Sequence, residues 1–181
     1  MVRSRSEQLL LGEWAVLGIL ANEPAHGFAV SKRLAPMGDV GRVWSLSRPL
    51  TYRALDQLAE RGLIRSKGEE PGRAGGPRTI YGVTPRGRQT LARWLAEPAQ
   101  HLRDVRTELL LKLVLCDLAG IDPAPLIEAQ RAVSEPVARK WASEARRKGG
   151  DPVTLWRWES SRAVVRFLDR FAAARHLGEP T

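Results

Sequence analysis

This 181-residue sequence is poor in the residues that build covalent or metal-centred sites. Its single cysteine, Cys116, excludes an intramolecular disulfide bond and suits a buried apolar position. Its three histidines, His26, His101 and His176, lie far apart in the sequence. It has no glycine-rich phosphate loop, metal-ligand cluster or nucleophile motif. We therefore expect no enzyme, no metal and no cofactor, and we expect His26 to cap or orient a helix.

Long apolar runs are also scarce. The most apolar stretch, residues 9–21, contains Glu13 and is too short to span a bilayer. Residues 1–6 continue directly into a helix pattern and do not resemble a signal peptide. Together these features predict a cytoplasmic protein that does not bind a membrane.

Positive charge, in contrast, is abundant and unevenly distributed. The net charge is +9, and hydrophobic residues make up 43% of the chain, which is enough for a folded core. Residues 1–96 hold 15 Lys and Arg against 8 Asp and Glu, whereas residues 97–181 hold 14 against 12. The excess therefore lies in the N-terminal half and favours a polyanionic partner there, most often nucleic acid.

Residues 47–61 have the pattern of a short helix with two different faces. Ser47 is a typical N-cap, Pro49 suits a first turn and Gly62 favours a helix end. The predicted buried face consists of Leu50, Ala54, Leu55 and Leu58. The opposite face carries Arg48, Thr51, Tyr52, Arg53 and Gln57. A basic face rich in hydroxyl groups suits the major groove of DNA, although an ordinary surface helix can have the same pattern.

The segments around this helix predict a winged helix-turn-helix. The predicted elements are helices over 7–21 and 26–34, a turn over 36–41, strands over 63–67 and 78–83, and a loop over 69–77. We assign Phe28, Val30 and Leu34 to the apolar side of the second helix. A helix-turn-helix followed by a basic β-hairpin, here with a two-stranded wing, is the arrangement of a winged helix.

The C-terminal half is predicted to be helical throughout. Its predicted helices span residues 84–98, 105–119, 123–148 and 152–176. The second of these helices is apolar on nearly all sides, and two other helices of the same chain would not cover this apolar surface. We therefore expect a symmetric partner chain to cover it. The fold prediction is therefore mainly α, with a DNA-binding domain over 1–96 and a helical dimerisation domain over 97–181.

The N-terminal segments resemble the PadR family of winged-helix transcription regulators over about residues 9–96. The resemblance rests on the order of Leu17-Gly18-Ile19-Leu20, His26-Gly27-Phe28, Leu50-Thr51-Tyr52-Arg53-Ala54-Leu55, Gly62-Leu63-Ile64, Gly76-Pro77-Arg78, Ile80-Tyr81 and Val83-Thr84-Pro85-Arg86-Gly87. It implies a homodimer held by C-terminal helices, a pseudo-palindromic operator in double-stranded DNA and, most often, repression. Arg48-Pro49 departs from the family pattern, so base preference is not carried over.

The candidate DNA contacts come from the two central helices and the wing. They are Lys32, Ser47, Arg48, Thr51, Tyr52, Arg53, Lys67, Arg73 and Arg78. For the arginines we favour phosphate over guanine, since phosphate contacts are the majority in protein–DNA complexes. Thr51 is assigned to a thymine methyl group. Tyr52 is assigned to a phosphate, with packing of its ring against the second helix as the alternative.

Two further hypotheses stay open at this point. The resemblance implies a small aromatic effector held between tryptophans, for which Trp14 and Trp94 are the candidates, although core packing of the two rings is the interpretation that we favour. The alternative function is a winged helix used for contact with protein or RNA. A steep fall of affinity with salt would favour DNA over a protein partner.

Overall fold

The computed structural model describes residues 9–72, 75–148 and 150–176. Its helices are α1 (Leu11–Asn22), α2 (Gly27–Arg33), α3 (Arg48–Glu60), α4 (Pro85–Ala96), α5 (Leu110–Leu118), α6 (Ala124–Lys148) and α7 (Pro152–His176). Its strands are β1 (Ala25–His26), β2 (Ile64–Gly72) and β3 (Gly75–Val83). A 3-10 turn over Leu102–Asp104 and a π turn over Val105–Leu109 precede α5. The predicted fold class, a mainly helical winged helix-turn-helix, is confirmed.

The described chain forms two compact units. The first contains the residues up to Leu95 together with 110–121, and the second contains 96–109 together with the residues from Asp122 onward. The first break lies next to the predicted boundary at residue 96. However, α5 packs in the first unit, so the helix that we predicted for the C-terminal domain is part of the winged-helix core.

The core of the first unit is built around α1, whose residues are buried from Gly12 to Leu20. Glu13 stabilises the start of this helix, because its carboxylate accepts a hydrogen bond from the backbone N–H of Leu10 at 2.6 Å. Gly18 lets another helix approach closely: a Cβ at this position would lie 2.5 Å from Leu115 of α5. The first unit is therefore closed by a helix that comes late in the sequence.

Part of the apolar surface of α5 is covered within this unit. Leu111, Leu115 and Cys116 are at most 2% exposed and belong to the same core cluster as α1 and α3. These residues need no second chain, whereas Leu110, Val114 and Leu118 are only partly buried. Helical structure begins at residue 105, as predicted, but its first five residues form a π turn and the α-helix begins at Leu110.

The wing contains a third strand that the sequence did not reveal. The sheet has the order β1-β3-β2, with all strands antiparallel, and β1 adds only Ala25 and His26 opposite Tyr81 and Ile80. The strands β2 and β3 extend through most of the predicted loop, with bulges after Ser66 and Glu70. Antiparallel pairing gives the backbone N–H and C=O groups of this segment hydrogen-bond partners. This gain outweighs the preference of its glycine and proline residues for a loop.

The turn between α2 and α3 is held by a charged pair. The guanidinium of Arg33 donates to both carboxylate oxygens of Asp39, with its Nη2 2.6 Å from Oδ2, and Asp39 accepts a further bond from the N–H of Val40. The Arg33 guanidinium therefore holds the pKa of Asp39 below its ordinary value of 3.8. This pair fixes the path by which the chain enters α3.

Most of the second unit is an antiparallel pair of long helices, α6 and α7. The bounds of α7 are those predicted from the sequence, and α6 begins one residue later than predicted, at Ala124. Arg131 of α6 forms an ion pair with Asp169 near the end of α7. The buried amide of Gln130 accepts from the N–H of Ala99 at 2.8 Å and donates to its carbonyl at 3.0 Å. The segment before α6 is thereby anchored to the helix pair.

In the part of the chain that the structure describes, every helix is either too short or too polar to span a bilayer.

We expect Asp39→Asn to destabilise the first unit by about 0.5–1 kcal/mol at neutral pH, because a half-exposed ion pair contributes on this scale. The pKa of Asp39 is lower in the folded chain than in the unfolded chain. Its stabilisation is therefore present above the unfolded value and is lost as the pH falls through the folded value. Urea unfolding of both proteins should show a difference at neutral pH that vanishes in acid. A difference that persists in acid would assign the effect to something other than this ion pair.

Candidate nucleic-acid interface

The start of α3 differs from its predicted capping. Ser47 occupies the N-cap position and is exposed, but its hydroxyl makes no capping hydrogen bond. Its carbonyl instead accepts both the N–H of Thr51, at 3.0 Å, and the hydroxyl of Thr51, at 3.1 Å. The predicted N-cap position is therefore correct, whereas the predicted role of its side chain is wrong.

The buried face of α3 is rotated relative to the predicted one. Thr51 is fully buried, together with Ala54, Leu55 and Leu58. Leu50, which we predicted to be buried, is 49% exposed. The assignment of Thr51 to a thymine methyl group is therefore wrong, because its side chain faces the core and its hydroxyl bonds to the preceding turn. The helical spacing is compatible with a buried stripe that begins at either Leu50 or Thr51. Only the packing of the folded chain decides that Thr51 is the buried residue.

The outer face of α3 carries Arg48, Tyr52 and Arg53, all exposed. Tyr52 remains 39% exposed, although its ring packs over Gly27 at the start of α2. A Cβ at Gly27 would lie 2.8 Å from Cε1 of Tyr52, so the glycine makes room for the ring. Both interpretations of Tyr52 are thus compatible: the ring leans on α2 and its edge still reaches solvent.

Phe28, at the start of α2, is surrounded by cations from three elements. Lys32 Nζ lies 4.9 Å from the ring centroid, Arg48 Cζ lies 5.3 Å from it and Arg78 Cζ lies 5.9 Å from it. The ring is 36% exposed, so its assignment to the buried side of the helix is wrong. Sequence analysis missed Phe28 because an apolar residue in a helical pattern is normally assigned to the core.

His26 links the start of α2 to the wing. Its Nδ1 accepts the N–H of Ala29 at 3.0 Å, which confirms the predicted capping role. Its Nε2 lies 3.2 Å from a carboxylate oxygen of Glu70 on β2, and its ring stacks on Phe28 with centroids 6.2 Å apart. This histidine therefore holds α2, β1 and β2 in one arrangement.

A groove runs between the first turn of α3, the start of α2 and β3. The described side chains that line it are those of His26, Phe28, Arg48, Tyr52, Pro77, Arg78, Thr79 and Tyr81, with the backbone of Gly27. Among these lining residues none carries a carboxylate. The groove is therefore an electropositive surface bounded by aromatic rings, which is chemistry that suits a phosphate group.

The comparison with family models gives an independent result. Residues 16–93 match the model described as the transcriptional regulator PadR-like family. The match confirms the resemblance of this part of the chain to the family. It covers less than half of the chain, from within α1 to within α4. No curated protein matches the sequence.

Solved structures show only a distant likeness. PadR of Bacillus subtilis in complex with operator DNA is 18% identical over 88% of this chain and 96% of that chain, with a TM-score of 0.46. The same protein in complex with p-coumaric acid is 18% identical over 91% and 98%, with a TM-score of 0.44. The protein smu.1604c of Streptococcus mutans is 17% identical over 91% and 99%, with a TM-score of 0.45.

Within the PadR-like region, residues 16–93, the predicted contacts fall into separate groups. Lys32, Arg48 and Arg78 meet at Phe28, whereas Arg53 lies further along the outer face of α3.

Lys67 is exposed on β2, with its aliphatic stem over Gly82 of β3. Arg73 lies outside the described residues. No group of three or more His, Cys, Asp and Glu side chains among the described residues is arranged to hold a metal ion.

Trp14 and Trp94 form a directly stacked pair next to the PadR-like region. Their ring centroids are 4.6 Å apart with an interplanar angle of 5°, and the side chains are only 8% and 9% exposed. The buried Lys112 places its Nζ 4.7 Å from the Trp94 centroid. Two rings in direct contact leave no space for a third, so the hypothesis of a ligand between them is wrong and core packing explains both residues.

We expect Trp94→Ala to destabilise the first unit by about 3–5 kcal/mol, because it removes a buried stacked ring and uncovers Lys112. Trp94→Phe keeps an aromatic face towards both neighbours and should cost markedly less. Urea unfolding, followed by far-UV circular dichroism, measures both losses. Equal and small losses in the two variants would show that the stack contributes little to the core.

Proposed function

We propose that this chain is a sequence-specific DNA-binding transcriptional regulator. The observation that carries the proposal is the convergence of Lys32, Arg48 and Arg78 on the ring of Phe28, which lines a groove whose described lining residues include no carboxylate. In this proposal α3 enters the major groove with Arg48, Tyr52 and Arg53 leading, because its opposite face is held in the core. The wing follows the phosphate backbone.

The contacts divide by chemistry. Arg48, Arg78 and Lys32 are assigned to phosphates, and the hydroxyl of Tyr52 donates to a phosphate from the rim of the same groove. Arg53 stands apart from the Phe28 cluster, and it is the candidate for reading a guanine edge or a neighbouring phosphate. The remaining proposed DNA contacts are Ser47, Lys67 and Arg73.

We further propose that the regulator works as a homodimer. Support comes from α7, whose first turn exposes the apolar side chains of Val153 (54%), Leu155 (46%) and Trp156 (72%). Several exposed apolar side chains close together in one segment are typical of a surface that another protein covers. A symmetric dimer would present two copies of α3 to major grooves about 34 Å apart, which corresponds to a pseudo-palindromic operator.

Repression is the outcome that we propose for operator binding, since a dimer seated on a promoter excludes the polymerase. Release by a small aromatic effector remains part of the proposal only for a site other than the Trp14–Trp94 stack. Contact with a protein, one alternative function, is less well supported because the outer face of α3 is charged rather than apolar. Contact with duplex RNA is less well supported because the major groove of RNA is too narrow for side chains of a helix to read.

Arg53→Ala is expected to weaken binding to the DNA upstream of the protein's own gene about tenfold, because it removes one charged contact from the outer face of α3. The matched control is Arg93→Ala, which removes an exposed arginine from α4. Fluorescence anisotropy with labelled DNA measures the affinities over a range of salt concentrations. Wild-type affinity should fall steeply as salt rises, through the release of counterions. A nearly flat salt dependence would favour a protein partner over DNA.

Trp156→Glu should shift the protein from dimer to monomer, because it places a charge in the proposed apolar interface. Met37→Glu is the matched control, since Met37 is 96% exposed in the turn between α2 and α3 and lies outside that patch. Sedimentation velocity measures the oligomeric state of both variants. A Trp156→Glu protein that sediments like the wild type would exclude the start of α7 from the interface.

A further inference from the structure

The exposure of Phe28 is not explained by packing. A phenylalanine at the start of a short helix is normally covered by neighbouring apolar groups, because removing its ring from water is favourable. This ring is 36% exposed and lines the groove, while Val30 and Leu34 of the same segment are fully buried. The side chain therefore has a role at the surface.

The neighbours of the ring are cations that lie far apart in the sequence. Lys32 comes from α2, Arg48 from the first turn of α3 and Arg78 from β3, and all lie within 6 Å of the ring centroid. At this distance the negative face of an aromatic ring attracts a cation. None of these cations forms an ion pair with a described residue. The ring is therefore the group that they share.

Three like charges around one ring repel each other. The carboxylate of Glu70, which lies opposite Arg78 in the sheet, is 3.2 Å from Nε2 of His26 and forms no ion pair with Lys32, Arg48 or Arg78 in the described part of the chain. Arg48 also lies 5.8 Å from the ring of Tyr52, so a second aromatic face orients the same guanidinium. An arrangement of this kind is stabilised by an anion placed among the cations, and a backbone phosphate of DNA supplies one.

We propose that Phe28 is a positioning residue, whose ring gathers Lys32, Arg48 and Arg78 around one backbone phosphate of bound DNA. The inference rests on the proposed function and deepens it. The ring acts through the cations and reads no base. It joins the helix-turn-helix and the wing at one phosphate, so that α3 and β3 contact the duplex in a fixed relation.

A leucine would cover a similar apolar area but has no negative π face. Phe28→Leu therefore removes the cation–π attraction, whereas Phe28→Trp and Phe28→Tyr retain it. We expect Phe28→Leu to weaken binding to the upstream DNA about tenfold at moderate salt. A loss of this size corresponds to the strength of the cation–π attractions that the substitution removes. Its plot of log affinity against log salt should be shallower than wild type by about one, because one phosphate is no longer neutralised.

A double-mutant cycle separates positioning from packing. If the ring acts through Arg78, then Phe28→Leu has a much smaller effect in an Arg78→Ala protein than in the wild type. Thermal melting of each variant monitors the fold, and the half-exposed position predicts little change in melting temperature for Phe28→Leu. Rescue of affinity and salt slope by Phe28→Trp completes the expected result.

Other outcomes overturn the inference. Wild-type affinity and slope in Phe28→Leu would show that the ring does not position the cations, while leaving DNA binding itself intact. Weaker binding with an unchanged slope, or losses that add in the cycle, would assign the ring to packing alone. A wild-type protein that ignores DNA at low salt would remove the proposed function, and this inference with it.

Discussion

The burial of one face of α3 is the constraint on which the rest of the interface depends. Thr51, Ala54, Leu55 and Leu58 are held in the core against α1 and α2, and Thr51 bonds back to the carbonyl of Ser47. Rotation about the helix axis would expose these groups and bury charged ones, which is costly on both counts. Arg48, Tyr52 and Arg53 therefore point outward as a consequence of what the other side contacts.

Core packing also explains why α5 belongs to the first unit, although it comes late in the sequence. Its apolar residues complete the core around α1, where Gly18 allows the two helices to approach closely. The winged helix is therefore not a contiguous N-terminal segment, since it needs residues from beyond position 110. The case for a homodimer now depends mainly on the exposed residues at the start of α7, because the protein's own chain covers Leu111, Leu115 and Cys116 of α5.

Local signals were sufficient for much of the architecture. Proline in a first turn, glycine after the last turn and apolar spacing located α3, and the bounds predicted for α6 and α7 agree with the structure to within one residue. The family resemblance located the PadR-like region on an ordered set of short motifs. The errors lie where two local patterns are equally compatible with the residues. Leu50 and Thr51 can each begin the apolar stripe of α3, and turn-forming residues near Gly72 can also stand in a bulged strand.

The sequence by itself determined the order of the helices and of the two long strands, the basic character of the first half and the likeness of residues 16–93 to the PadR-like family. These are properties of neighbouring residues, and they can be read without knowing what meets in space. Only the tertiary structure decided that Trp14 covers Trp94, that α5 returns to the first core and that Lys32, Arg48 and Arg78 surround Phe28. Each of these joins residues far apart in the chain, and the contacts exist only once the whole core has formed.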